Sequence, residues 1–211
     1  MQAIQRRSAA FALLCVVLFV GLGTGLERLG SLDRALATPL IRMRGNLDLP
    51  MLWLNSLGAV KTLVAATLVP ALLLAVQRRR REASFLLVLA GGALVLSRGL
   101  KEVFQRPRPN VTTQYLLHAS NSTSFPSAHA FRATALLIGL VVLLKVLGLR
   151  RGLLESSIVA ALLALLGVAA ARVYFGAHFP SDVVGGILVG AGWSVALAGW
   201  FYRERTISRP V

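Results

Sequence analysis

Residues 124–147 read SFPSAHAFRATALLIGLVVLLKVL, a mouth of Ser, Pro, Ser and His that runs straight into an apolar stretch. From Ala128 onward the only charged side chains are Arg132 near the start and Lys145 near the end. About 20 apolar residues suffice for a helix to cross the hydrocarbon of a bilayer. This run is long enough, and so are 8–26, 50–76, 83–100, 153–173 and 183–201. The runs are too uniform for the one-sided helices of a soluble domain. With 211 residues, 56% of them hydrophobic, and a mean hydropathy of +0.71, the chain is an integral membrane protein. The expected fold is all-α, a six-transmembrane-helix bundle, with residues 1–211 forming one domain.

A net charge of +15 raises the question of nucleic acid, but the basic residues sit in short blocks flanking the apolar runs. Arg6 and Arg7 precede the first run, and Arg78 to Arg81 join the second and third. Lys145, Arg150 and Arg151 join the fourth and fifth, and Arg203, Arg205 and Arg209 follow the sixth. Such blocks set topology, so no nucleic-acid partner is expected. All four fall on one side, which the positive-inside rule makes cytoplasmic. Both termini are then cytoplasmic, and the connections near 27–49, 101–126 and 174–182 face outward. The outer 27–49 segment carries four Arg of its own, partly balanced by Glu27, Asp33 and Asp48.

The start, MQAIQRRSAAFALLCVVLFVGLG, has the basic lead and apolar core of a signal peptide. An uncleaved first span is the preferred reading, because Ala35-Leu36-Ala37 lies too far beyond the core to serve as a cleavage site. Cys15 is the only cysteine and reads as a small buried apolar residue. No repeat or heptad pattern stands out, and short connections predict successive helices packed antiparallel. Gly186 and Gly190 form a small-xxx-small pair, and Gly91-Gly92 lighten the third span for close helix contact. Trp53 and Trp200 fit an interfacial belt, while Trp193 is expected to pack inside the bundle.

Polar residues gather in three places: KEVFQRPRP at 101–109, FPSAHAF at 125–131 and ARVYFGAHFPSD at 171–182. Span parity puts all three on the outer face. Lys101 is a compact point charge, and Arg108 a planar fork able to pair with two phosphate oxygens beside the stiff Pro107 and Pro109. Either alone also fits snorkelling at the interface, the reading kept for Arg98 and Arg106. Pro126 suits the first turn of a helix, leaving the N–H groups of Ser127, Ala128 and His129 at its positive end as an anion site. Ser127 adds a hydroxyl and His129 a proton; a plain serine cap with an interfacial histidine is the alternative. Arg172, His178 and Asp182 make the third cluster. An aspartate beside one imidazole nitrogen fixes the tautomer and leaves the other nitrogen to attack. A metal ligand is the other use of His178, but the outer face lacks the clustered carboxylates and further histidines a metal needs. His118 has no local partner and reads as solvated or lipid-facing. Two histidines, an aspartate, several cations and a helix N-terminus together make a site for metal-free phosphoryl transfer.

Lys101-x6-Arg108-Pro109, Pro126-Ser127-Ala128-His129 and Arg172-x5-His178-x3-Asp182 resemble the three-part signature of the type 2 phosphatidic acid phosphatase superfamily. Order, spacing and placement match over the whole chain. Two positions depart: Ala128 stands where the family more often has glycine, and Ala171 where a serine often precedes the arginine. The resemblance implies His178 as nucleophile forming a phosphohistidine, Asp182 as its orienting partner and His129 as general acid. It implies Lys101, Arg108, Ser127, Ala128 and Arg172 as the phosphate cradle, with no metal and no cofactor. Arg132, one turn beyond His129, lies outside the signature and reads as an added substrate contact or as an interfacial or paired arginine.

The expected activity is hydrolysis of a lipid phosphate or diphosphate at the outer face of a bacterial inner membrane, the tail staying in the bilayer. Undecaprenyl diphosphate is the favoured substrate, on the small size of the chain, ahead of phosphatidylglycerol phosphate or phosphatidate, and then lipid A. A lipid phosphotransferase and a non-enzymatic lipid-binding or flippase-like protein are the competing readings. Oligomeric state is not legible, and the loop 110–124 fits either an ordered lid or a mobile flap.

Overall fold

A computed structural model describes residues 2–109 and 123–202, with side chains from residue 6 onward. His118, nearly all of the 110–124 loop and the final arginine block lie outside the described residues. Eight helices follow one another: α1 (Gln2–Thr24), α2 (Gly30–Arg42), α3 (Asp48–Ser56), α4 (Val60–Val76), α5 (Arg80–Phe104), α6 (Ala128–Val146), α7 (Arg151–Tyr174) and α8 (Pro180–Phe201). Helices α1, α5, α6, α7 and α8 are each long and apolar enough to cross a membrane. The run 50–76 is not one straight span: α3 and α4 meet at a 46° bend and make a sixth crossing only if taken together.

Helix α6 is the axis of the bundle. Half of its apolar window is buried, against 11% for α1 and 6% for α7, whose flanks face lipid. Helix α8 lies against it along a row of glycines. A Cβ on Gly186 would sit 2.5 Å from the Ser127 carbonyl oxygen, and one on Gly190 2.8 Å from that of Phe131. The small-xxx-small reading of this pair therefore holds. Trp193 is seated on Gly92, where a Cβ would come within 2.2 Å of its ring, and its indole N–H donates to the Leu89 carbonyl at 3.0 Å. Trp53 and Trp200 are exposed, and Cys15 is buried against Gly192. The bundle does not close in simple chain order, since α1 packs on α8 and α3 on α7.

The outer 27–49 segment is more than a connection. It folds as α2 and the start of α3, with Ala37, Leu40 and Ile41 packed against Ala130, Val173 and Val183 of the core helices. Tyr174 fastens the following turn: its hydroxyl donates to Asp48 Oδ1 at 2.6 Å, and its carbonyl accepts from Arg44 Nε at 2.6 Å.

Candidate active site

Helix α7 ends in a Schellman turn. Gly176 takes φ +63, Ala177 N–H returns to the Arg172 carbonyl at 3.1 Å, and Gly176 N–H returns to Val173 at 2.8 Å. The turn folds the chain back so that His178 N–H also reaches the Arg172 carbonyl, at 3.3 Å. The five residues between Arg172 and His178 are therefore set by this turn. Helix α8 then begins at Pro180, and Asp182 reaches back through Oδ2 to the Phe179 N–H at 2.8 Å. That places Oδ2 3.5 Å from Nδ1 of His178, with both side chains buried.

The second cluster is held against this one by backbone. Ser127 N–H donates to the Asp182 carbonyl at 2.9 Å, and Ser124 N–H to the Arg106 carbonyl at 2.7 Å. Ser124 Oγ donates to Pro107 O at 3.0 Å, and Lys101 Nζ to the Thr123 carbonyl. Two expectations change here. Pro126 is not in the first turn of α6; it precedes the N-cap Ser127 and follows a cis peptide bond. Nor is the Ser127 N–H open to an anion, because it is spent on Asp182. Ser127 Oγ caps Ala130 N–H at 3.5 Å. Among the described residues this leaves Ala128 and His129 with unpartnered N–H groups at the positive end of α6.

The cations close the site. Arg108 Nη1 donates to the Ala177 carbonyl at 2.8 Å, and Arg172 Nη1 to Asn55 Oδ1 at 2.6 Å. Arg172 Nε and His178 Nδ1 are buried with no hydrogen-bond partner among the described residues. His178 is held well below its ordinary range by burial first, then by the charges of Arg172, Arg108 and Lys101, with the Ser124 backbone pulling the other way. That shift favours the neutral form of its imidazole. Arg108 is also lowered, by burial, with Asp182 opposing the shift. Among the described residues no group of three or more His, Cys, Asp or Glu is placed to hold a metal ion.

Arg132 is neither interfacial nor turned to solvent. It is buried, donating Nε–H to the Gly58 carbonyl at 3.1 Å and sharing a 3.3 Å contact between Nη2 and His129 Nδ1. A guanidinium has no acceptor, so Nδ1 accepts and the proton of the neutral ring sits on Nε2. Gly58 packs on His129 itself: a Cβ there would lie 2.8 Å from the His129 carbonyl oxygen. Arg106 is another departure, since it bridges Asp182 Oδ1 at 2.6 Å and Asp33 Oδ2 at 2.8 Å instead of snorkelling. The sequence reading missed Asp33, Asn55 and Gly58. Asp33 sits four residues before Ala37 on the buried stripe of α2, and a polar break, Asn55-Ser56-Leu57-Gly58, interrupts an apolar run of more than spanning length.

Three clusters far apart in sequence thus meet at one end of the bundle. A family model described as the PAP2 superfamily matches residues 81–206. The chain belongs to the PAP2 superfamily. A relative, phosphatidylglycerophosphatase B of Bacillus subtilis strain 168, is 31% identical over 147 residues, covering 65% of this chain and 70% of the relative. A solved structure, described as the first transmembrane PAP2-type phosphatidylglycerolphosphate phosphatase from Bacillus subtilis, superposes with a TM-score of 0.82 at 25% identity. That likeness covers 94% of this chain and 98% of the solved one. PAP2 membership, with these relatives, makes the protein a membrane phosphatase of lipid phosphoric esters.

Proposed function

We propose that the protein hydrolyses a lipid phosphomonoester of the phosphatidylglycerol phosphate class, at the outer face of a bacterial plasma membrane, through a phosphohistidine on His178. One observation carries the mechanism: a buried, neutral His178 has a carboxylate 3.5 Å from Nδ1 and three cations acting on it. Phosphate held by Lys101, Arg108 and Arg172, and by the N–H groups of Ala128 and His129, presents phosphorus to Nε2. The Nε2 lone pair forms the P–N bond while the bond to the lipid oxygen breaks, its electron pair staying on that oxygen. Asp182 Oδ2 accepts a hydrogen bond from the Nδ1–H of the growing imidazolium and stabilises its charge.

His129 protonates the departing oxygen. As a neutral ring with Nε2–H it needs a second proton first, which the negative charge of a bound phosphate favours; the resulting Nδ1–H gives up the Arg132 contact. Water then attacks phosphorus, the electrons of the P–N bond return to His178, and His129 accepts the proton that water loses. The cationic side chains take the place of a metal in stabilising the equatorial oxygens.

The names of the two relatives support phosphatidylglycerol phosphate over the isoprenyl diphosphate that small chain size alone favours. We read residues 1–211 as a single domain; the outer-face placement, with both termini inside, rests on the exposed Arg78, Arg79, Arg150 and Arg151 at the end of the bundle opposite the site. The test is phosphate release by detergent-purified protein from phosphatidylglycerol phosphate, phosphatidate, undecaprenyl diphosphate and lipid A, with and without EDTA. His178→Ala serves as the blank. Turnover of phosphatidylglycerol phosphate in EDTA, abolished in the blank, is expected. Preference for the diphosphate returns the substrate to the isoprenyl class, and loss in EDTA restored by Mg overturns the metal-free mechanism. Binding without release in any arm points to an acceptor lipid or a transport role.

A further inference from the structure

Asp33 belongs to α2, ahead of the segment matched by the family, yet it is 2% exposed and lies one side chain away from Asp182. Its Oδ1 accepts from Ser181 N–H at 2.9 Å, and its Oδ2 from Ser181 Oγ at 2.5 Å and from Arg106 Nη2 at 2.8 Å. Arg106 turns its other end, Nη1, to Asp182 Oδ1 at 2.6 Å and to Ser181 Oγ at 2.8 Å. The guanidinium also lies 4.3 Å over the Phe179 ring, so its plane is fixed.

We propose that Arg106 and Asp33 are positioning residues, a charge brace that holds Asp182 with Oδ2 turned to His178; this rests on reading Asp182 as the partner of that histidine. A carboxylate can turn about its last torsion. With Oδ1 tied to Arg106 and Oδ2 to the Phe179 N–H, Asp182 cannot. Orientation by Arg106 alone would carry a cost, because the guanidinium would cancel the negative charge that steadies an imidazolium. Asp33 restores it. Two carboxylates around one guanidinium leave a net charge of about −1 beside His178. The facing groups are Asp182 of α8, Arg172 of α7, Arg108, and Lys101 of α5, so His178 meets three cations and this one compensated anion. Ser181 locks the arrangement by offering both its N–H and its hydroxyl to Asp33.

A brace that works through Asp182 differs from one that only fastens α2, and a double-mutant cycle separates the two. The cycle compares Asp33→Asn, Asp182→Asn and the double variant of the full chain in detergent, with phosphatidylglycerol phosphate in mixed micelles as probe. Asp33→Asn is expected to lower kcat by about 100-fold with KM held within about threefold, because the phosphate cations are untouched. In the Asp182→Asn background the same change is expected to cost no more than about twofold. Asp33→Glu is expected to recover part of kcat. An undiminished effect in that background, a rise in KM alone, or a parental kcat in Asp33→Asn each overturns the brace. A parental rate in Asp182→Asn overturns instead the reading on which it rests. Where Asp33→Asn fails to purify folded, the same cycle run with Arg106→Lys, which keeps the charge and loses the two-ended grip, separates the two alternatives by the same outcomes.

Discussion

The two ends of the bundle carry the same kind of residue to opposite purposes. At one end Arg78, Arg79, Arg80, Arg150 and Arg151 are exposed. The ion pair that Arg151 makes there, with Glu155 at 2.8 Å, joins two solvated side chains. At the other end Arg106, Arg108, Arg132 and Arg172 are wholly or largely withdrawn from solvent, each tied to a named oxygen or nitrogen. Arg28, Arg34 and Arg42 of the outer segment are exposed as well, so neither count nor end distinguishes the arginines; the partners of these four do. A solvated guanidinium fixes which way the chain sits in the bilayer, whereas a desolvated one, held in place, makes a field for an anion.

The largest expected break in this contrast is at Arg172. Arg172→Met removes a desolvated cation from the proposed phosphate cradle, and kcat/KM on the preferred lipid should fall by on the order of 10³-fold. Next comes its support. Asn55→Leu leaves Arg172 Nη1 buried without its acceptor, a change worth about 1–3 kcal/mol and so visible as a lowered kcat/KM and a lower unfolding temperature. Gly58→Ala drives a methyl against the His129 carbonyl; a cost of about 1–3 kcal/mol is expected, with kcat falling more than phosphate affinity.

Stability should follow pH through His178, whose native form resists protonation while its unfolded form titrates near 6.5. Below that value the unfolded chain binds the extra proton, so stability drops as pH falls, by at most about 1.4 kcal/mol per pH unit from this group. Thermal unfolding between pH 8 and pH 5 should show the slope, and His178→Ala should flatten it. The smallest effect is at the opposite end, where Arg150→Gln should change stability by less than about 0.5 kcal/mol and leave kcat alone. A large loss there would erase the contrast.

The membrane runs were legible because hydrocarbon demands long apolar segments, and five of the six appear as unbroken helices within a few residues of their expected ends. The signature residues were legible because His, Asp and Arg next to spans are costly and need a reason. What supports them was not. Asn55 and Gly58 carry no charge, and their polar interruption was absorbed into a run read as one span. Asp33 was taken as balance for nearby arginines because sequence does not reveal that α2 turns that face inward. Arg132 had a signal in its three-residue spacing from His129, the separation at which helix side chains meet. Its partner Gly58, 74 positions away, had none.

The backbone ties between Ser124 and Arg106, and between Ser127 and Asp182, bear on how the gene can vary. Where hydrogen bonds bracket a spacing, as across Gly176, one inserted codon would rotate the His178 ring out of register with Asp182. Between Arg106 and Ser124 the ends are clamped to each other, and Pro107, Arg108 and Thr123 share in the clamp, so a change of length that keeps these residues leaves the two anchored motifs in their places.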